Sequence, residues 1–514
     1  MYFISAVTEV PNRFVDSFSF VTNMTFPERF AEVVVDFPRK KILADKNGAY
    51  SSDEIFLTAQ FVAAEILEHK NYKGECICLL APAGLPYVAG MLGGMMSGAM
   101  MVPLCTDHPK AELEYMIADS GAKLILCHPD LLHLVNEIKV PKKKLTASSP
   151  PKEPVPYNWD YPAGNSNALM LYTSGTTGKP KGVVHTHASL AAQISCLVEV
   201  WEWTDEDSIL HFLPLHHTHG IINKLFCALW SGAYCEMMEK FDAKLVWEKI
   251  VSGKFNLLMG VPTVYSRLIQ HWEEEEEATK KIYSDACAKF RLMVSGSAAL
   301  PVTVLEKWRT VSGHILLERY GMTETGMALT NPLHGERKPG FVGKPLPGME
   351  ARLAEKNDAA DTMSELEIRG KNLFKEYWNK PEETKKSFTK DGWFKTGDMA
   401  EVVDGNYKIV GRLSADIIKS AGYKISSLEI ESVILQHASV KECCVIGIED
   451  EMYGEKIVAV IVLNENALLT LEELREFAKE KLAAYKLPAL MKVVEQLPRN
   501  VMGKVVKGDV KKLI

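Results

Sequence analysis

Cysteine is scarce in this sequence, 10 in 514 residues, and no two stand in a Cys-x-x-Cys pair; the nearest are Cys76 with Cys78 and Cys443 with Cys444. That excludes a disulfide scaffold and the common zinc ribbons, and it points to free thiols in a reducing compartment. An excess of positive charge is also missing. Lys plus Arg number 59 against 66 Asp plus Glu, a formal net charge of -7, which excludes a general nucleic-acid binder. A local basic site for a phosphorylated ligand stays open. Charge is absent altogether from Cys76 to Thr106, a run long enough to span a bilayer. Pro82, Pro86 and Pro103 punctuate it, with Gly84, Gly90, Gly93, Gly94 and Gly98. The run therefore predicts buried strand, loop, helix and strand, and no transmembrane segment. Met1–Phe20 carries Glu9 and Asp16 with Arg13 as its one basic residue, which suits neither a signal peptide nor an amphipathic presequence.

What is present is ordinary globular composition, 47% hydrophobic and 24% charged, enough to bury a large core. At ~150 residues per domain the length allows about three domains. Lys139–Pro154 reads as an exposed loop and Glu273–Glu277 as a solvated helix face. Apolar runs at Ala168–Tyr172, Ile209–Leu213, Leu257–Val261, Leu292–Val294 and Ile315–Leu317 lead straight into polar turns. Those turns are Thr173–Gly178, Pro214–Gly220, Pro262–Thr263, Ser295–Ser297 and Glu318–Gly326. Short buried strands alternating with helical stretches predict an α/β sheet protein. Ligands in such sheets sit beyond the carboxyl ends of the strands, so the five turns are expected to form one composite site wherever their strands are neighbours. The tail differs. Glu442–Ile448 and Ile457–Leu463 read as strands, and Leu471–Tyr485 as a helix capped by Thr470. It predicts a small α+β domain, with its boundary near Gly411–Asp416.

The densest chemical signal is Tyr172–Gly182. Hydroxyls at Thr173, Ser174, Thr176 and Thr177 alternate with Gly175 and Gly178, ahead of Lys179 and Lys181. Glycines let backbone amides approach phosphate oxygens, hydroxyls donate to them, and lysine supplies charge. A Walker A loop is excluded, because it needs Gly at 173 and Ser or Thr at 180, where the chain has Thr173 and Pro180.

This segment resembles the signature of the adenylate-forming superfamily of acyl-CoA synthetases, luciferases and peptide-synthetase adenylation domains. Further motifs of that family follow in order: Ser295–Pro301, Tyr320-Gly-Met-Thr-Glu324, Gly392–Asp398, Gly411-Arg412 with Lys419 and Gly422, and Pro498–Lys504. The resemblance implies a large multi-layer N-terminal AMP-binding domain of mostly parallel sheets, residues 1–411, and a small α+β C-terminal lid, residues 412–514. It implies ATP, Mg2+ and coenzyme A as cofactor and co-substrates, and a carboxylate that attacks the α-phosphate of ATP. Charge builds on phosphoryl oxygens in that reaction, so cations and preorganised donors carry it. Thr173, Ser174, Gly175, Thr176, Thr177, Gly178 and Lys179 would hold phosphates. Ser295, Gly296 and Ser297 would lie against adenine, Glu318, Tyr320 and Gly321 would also bind ATP, Asp398 would take the ribose and Arg412 the ribose or a phosphate. Glu324 would ligate Mg2+, with Thr323 on the α-phosphate, His217 beside the reacting groups and Lys504 over them as the catalytic cation. Lys419 and Gly422 would meet coenzyme A after the lid turns about Asp416.

Among such enzymes the chain resembles malonyl-CoA synthetases of the animal mitochondrial type, through His211–Gly220, Arg291–Leu300 and Leu316–Leu329. A dicarboxylate leaves one buried carboxylate that must be paired, and an Arg fork is its natural partner. Arg319, Arg291 and His219 are the expected partners of that group, and an ion pair with Glu318 is the alternative for Arg319. His216, His217 and His219 lack the helical spacing of a zinc site. The rival reading is a short- or medium-chain monocarboxylate synthetase. The resemblance places the protein in the mitochondrial matrix, with the cytoplasm as the alternative that Met1–Phe20 suggests.

Overall fold

The computed structural model describes residues 24–145, 159–173, 179–355, 363–420, 423–451, 453–499 and 505–514. The expected Ser174–Gly178, Gly422 and Lys504 lie outside the described residues, as does most of Lys139–Pro154. Two large sheets dominate. One runs, in spatial order, through Glu376–Tyr377, Lys181–Thr186, Asn167–Thr173, Met100–Pro103, Cys76–Leu80, Leu124–Cys127 and Lys142–Lys144. The other orders Lys344–Pro345, Gly326–Thr330, Leu317–Met322, Leu292–Ser295, Leu257–Gly260, Ser208–His211, Tyr234–Met237, Lys41–Asp45 and Gly48–Ser51. Neighbours in the middle of both sheets are parallel.

The uncharged run Cys76–Thr106 folds as predicted, into strand Cys76–Leu80, helix Leu85–Met96 and strand Met100–Pro103. Its strand is apolar throughout because both faces are covered. Ile77 and Leu79 join the core between the two sheets, while Cys76, Cys78 and Leu80 join the core beneath helix Lys110–Ser120. Helices Ser52–His69, Leu85–Met96 and His187–Val200 fill the layer between the sheets. Helices Ala243–Val251, Pro262–Glu274 and Val302–Ser312 cover the far face of the larger one. Among the described residues no helix is long and apolar enough to cross a membrane.

Three local expectations change. Lys142–Lys144 is an edge strand paired with Ile125–Cys127, because main-chain bonding outweighs the polarity of its side chains. Glu273–Glu277 spans the break between helices Pro262–Glu274 and Glu277–Cys287. The tail helix stops at Lys479, although Thr470 caps it through a reciprocal pair with Glu473. An antiparallel sheet of Met349–Leu353, Ser364–Gly370, Phe394–Val403 and Asn406–Arg412 was not foreseen. The chain leaves its last strand through residues 413–416 and enters a final sheet built on the long hairpin Val440–Asp450 with Gly454–Leu463.

Candidate active site

Four of the five turn-bearing strands are neighbours in the larger sheet, and Asn167–Thr173 stands in the other. The two sheets touch at the Thr323 turn, among other places. His185, on the strand after the phosphate-type loop, donates from Nε2 to the Thr323 carbonyl at 2.8 Å. Glu318–Gly326 is therefore not the loop beyond a strand. Leu317–Met322 is itself strand, and it turns at Thr323–Thr325 into Gly326–Thr330.

Strand alternation separates Glu318 from Arg319. Val294 pairs with Leu317 and Ser295 with Glu318, so Arg319 comes level with Gly296. Its guanidinium lies across that glycine, where a Cβ would stand 2.5 Å from Arg319 Cζ. Arg319 is only 3% exposed. Its Nη2 donates to Ser297 Oγ at a long 3.5 Å, and its Nε has no partner. Among the described residues no carboxylate is within ion-pair distance of it, and burial pulls its pKa down to about 9. Ser297 is held at φ +70°, an unusual conformation for a non-glycine residue. That conformation leaves its Oγ 3.3 Å from His219 Nδ1 as well. His219 is buried, its Nε2 is unpartnered, and burial together with Arg319 holds it neutral.

Glu318 is not the partner of Arg319. Its Oε1 accepts from the Gly340 N–H at 3.0 Å, and burial raises its carboxyl from 4.5 to about 8. The fold thus accommodates the protonated acid. Its contribution to stability is fully present below the unfolded value and is lost as pH rises through about 8. Glu318→Gln is expected to melt above the parent at about pH 9, by about 2 kcal/mol, and with it at about pH 5. Equal melting curves at both pH values would remove the assignment.

Tyr320, one residue beyond Arg319, points away from it and donates to Asp398 Oδ2 at 2.6 Å. Asp398 Oδ1 accepts from Arg412 Nε at 2.8 Å, and Arg412 also donates to the Thr396 carbonyl at 2.7 Å. Asp398 and Arg412 face each other across an antiparallel pair, so the expected ribose residues are one preformed unit. Glu324 is buried, which raises its carboxyl, and Tyr377 donates to its Oε1 at 2.8 Å. A buried hard-oxygen donor fits Mg2+. Thr173 ends its strand opposite Lys181, and the Lys179 ammonium lies 5.3 Å from the Tyr115 ring centre. Gly321 lets the hairpin close, since a Cβ there would meet the Gly326 carbonyl at 2.0 Å. His217 Nε2 and Ser295 Oγ are buried without partners.

Other expected residues lie elsewhere. Arg291 stands at the opposite end of its strand from Ser295, where Nε and Nη2 bind Asp207 at 2.6 and 2.5 Å and Nη1 binds the Trp201 carbonyl. Its charge is spent on that pair, so it does not reach the Arg319 pocket. Lys419 is exposed on Ile417–Ser420. Asp416 accepts from the Arg412 N–H at 2.9 Å and pairs with Lys507 at 2.8 Å, joining the turn at 413–416 to the C-terminal helix. His185, Tyr377 and Lys507 were not singled out from sequence, because an isolated His, Tyr or Lys carries no local signal.

The AMP-binding enzyme model matches residues 30–378, and the AMP-binding enzyme C-terminal domain model matches residues 429–504. The mitochondrial malonate–CoA ligase of Bos taurus is 42% identical over 92% of this chain and 88% of its own. The crystal structure of ATP-bound MatB from Rhodopseudomonas palustris superposes with a TM-score of 0.86 at 31% identity, covering 95% of this chain and 99% of that one. A malonyl-CoA ligase in ternary complex with methylmalonyl-CoA and AMP matches at 0.66 and 34% identity, covering 90% and 97%.

Proposed function

The chain belongs to the AMP-binding enzyme family, and from that premise we propose that it is an acid–thiol ligase converting malonate to malonyl-CoA at the expense of ATP. A malonate oxygen attacks the α-phosphate, pyrophosphate leaves, and the acyl-adenylate then passes its acyl group to coenzyme A with release of AMP. Arg319 carries the choice of acid. A guanidinium buried without a counter-ion costs several kcal/mol, and a substrate carrying a second carboxylate repays it. His219, kept neutral, and Ser297 add hydrogen bonds to the same group. The methyl of methylmalonate adds no charge, and that acid is also accepted.

Asp398 and Arg412 take the ribose, with Tyr320 fixing Asp398 from the side. Thr173 and Lys179, with Ser174–Gly178, hold phosphates. Thr323 and His217 address the α-phosphate and the attacking carboxylate. Glu324 would hold Mg2+, which screens the charge of the phosphates when bound. Lys504 neutralises both reacting groups. The lid then turns about Asp416, withdrawing Lys504 and bringing Gly422 and Lys419 to the thiol. The mitochondrial name of the Bos taurus relative supports the matrix as the location, which imaging of the tagged protein checks.

Pyrophosphate release across an acid panel tests the reading. Malonate is expected well ahead of propionate, butyrate and hexanoate, with free coenzyme A as acceptor. The reverse order would move the assignment to monocarboxylates.

A further inference from the structure

The loop after strand Met100–Pro103 meets the loop after strand Ser208–His211, and three metal-ligating side chains converge there. One ligand atom from each of Cys105, His108 and His216 lies within 4.8 Å of the other two. Cys105 is a free thiol. His108 Nδ1 and His216 Nε2 are buried and have no hydrogen-bond partner. The His108 side chain is 8% exposed. A buried polar atom left unpaired costs about 1–3 kcal/mol, and native interiors satisfy nearly all of them. Among the described residues His216 Nε2 has no acceptor within reach, and for His108 Nδ1 the Glu112 carboxylate comes no nearer than 3.7 Å.

We propose that Cys105, His108 and His216 form a binding site for a borderline-soft divalent cation of the Zn2+ class, separate from the Mg2+ site at Glu324. Sulfur and imidazole donors select that class over Mg2+, which prefers oxygen. In a tetrahedral site the donor atoms stand about 3.5 Å apart, given zinc bonds of about 2.0–2.3 Å. The three atoms stand within 4.8 Å of one another, so side-chain rotation is required to close the set around an ion. The Glu112 carboxylate lies 3.7 Å from His108 Nδ1. With Nε2 on the metal, Glu112 becomes the outer carboxylate that orients a ligating imidazole. Water completes the coordination.

Two ligands come from the smaller sheet's loop and one from the larger sheet's, so the ion ties a loop of one sheet to a loop of the other. It also restrains His217, whose ring packs against His216 with centres 4.0 Å apart. Spacing along the chain cannot reveal this, because the third ligand lies in another sheet from the first two.

The test uses the full chain, freed of metal by a chelator, with Co2+ as the optical probe and Mg2+ in excess. Binding of one equivalent is expected, with a near-ultraviolet thiolate-to-cobalt band and the visible bands of a four-coordinate centre. Zn2+ should displace it and Mg2+ should not. Cys105→Ser should lose the thiolate band, and His108→Ala should weaken binding at least about tenfold. Cys443→Ser, at another partly exposed thiol, should leave the spectrum unchanged. Zn2+ should raise the melting temperature of the parent and leave that of Cys105→Ser unmoved, which separates lost binding from lost folding. Absence of a thiolate band in the parent, or its survival in Cys105→Ser, overturns the site. Neither outcome bears on acid specificity, so this proposal and the ligase reading fail independently.

Discussion

Arg319→Leu is expected to lower kcat/KM for malonate by about a hundred- to a thousandfold while the KM for ATP stays within about threefold of the parent. Removing one member of a buried charge pair costs about 2–5 kcal/mol, and each 1.36 kcal/mol is a factor of ten. The loss falls on malonate because, among the described residues, Arg319 has no carboxylate to pair with. Its fork crosses Gly296 and reaches only Ser297. The unit of Tyr320, Asp398 and Arg412, proposed above for the ribose, is built on the other face of the strand, so nucleotide binding should be spared. Stability should move oppositely. Without malonate, the leucine variant should melt at or above the parent, since an uncompensated buried cation is gone. Malonate should raise the melting temperature of the parent only. Arg319→Lys should recover part of the activity, because a point charge cannot make the two-pronged contact. Intact malonate turnover in Arg319→Leu would end the pocket assignment.

Asp398→Asn is expected to cut kcat/KM for ATP by about a hundredfold and to lower stability by about 2–3 kcal/mol. Each carboxylate oxygen already has a donor, Arg412 Nε at 2.8 Å and Tyr320 Oη at 2.6 Å. A carboxylate has about four acceptor sites, leaving room for ribose hydroxyls. The amide keeps the shape, but it replaces one acceptor with a donor and leaves the Arg412 charge uncompensated. Combining it with Arg412→Gln should cost less than the two single losses together, as for members of one network. Unchanged ATP kinetics would remove the ribose role, and an unchanged melting temperature would remove the ion pair as a stabilising unit.

Much of the fold was legible along the chain. Runs such as Cys76–Leu80 and Leu257–Gly260 are apolar at every position, which is how strands covered on both faces read. The hydroxyl- and glycine-rich Thr173–Gly178 and the Tyr320–Glu324 segment carry their chemistry in residue type and spacing. Less legible was where each segment ends. Glu318–Met322 read as a turn, yet its backbone pairs with Gly326–Thr330, and that antiparallel partner comes only after the hairpin closes. Arg291 and Arg319 looked alike as candidates. Both precede or occupy a motif, and both follow or lie in an apolar run. They differ in what sits opposite, Asp207 for one and, among the described residues, no carboxylate for the other.

The amino-acid order alone determined the α/β class, the buried uncharged run of strand, helix and strand, and the family resemblance. Each depends on interactions between residues close in the chain, where periodicity and composition act directly. The folded structure decided which of two arginines is paired with a carboxylate, that Tyr320 and Arg412 clamp Asp398 from two sheets, and that Cys105 and His108 meet His216. Those are matters of partners separated by tens to more than a hundred positions. Charge and hydrogen bonding are settled by distance in space, which a linear order of residues does not contain until the layers pack.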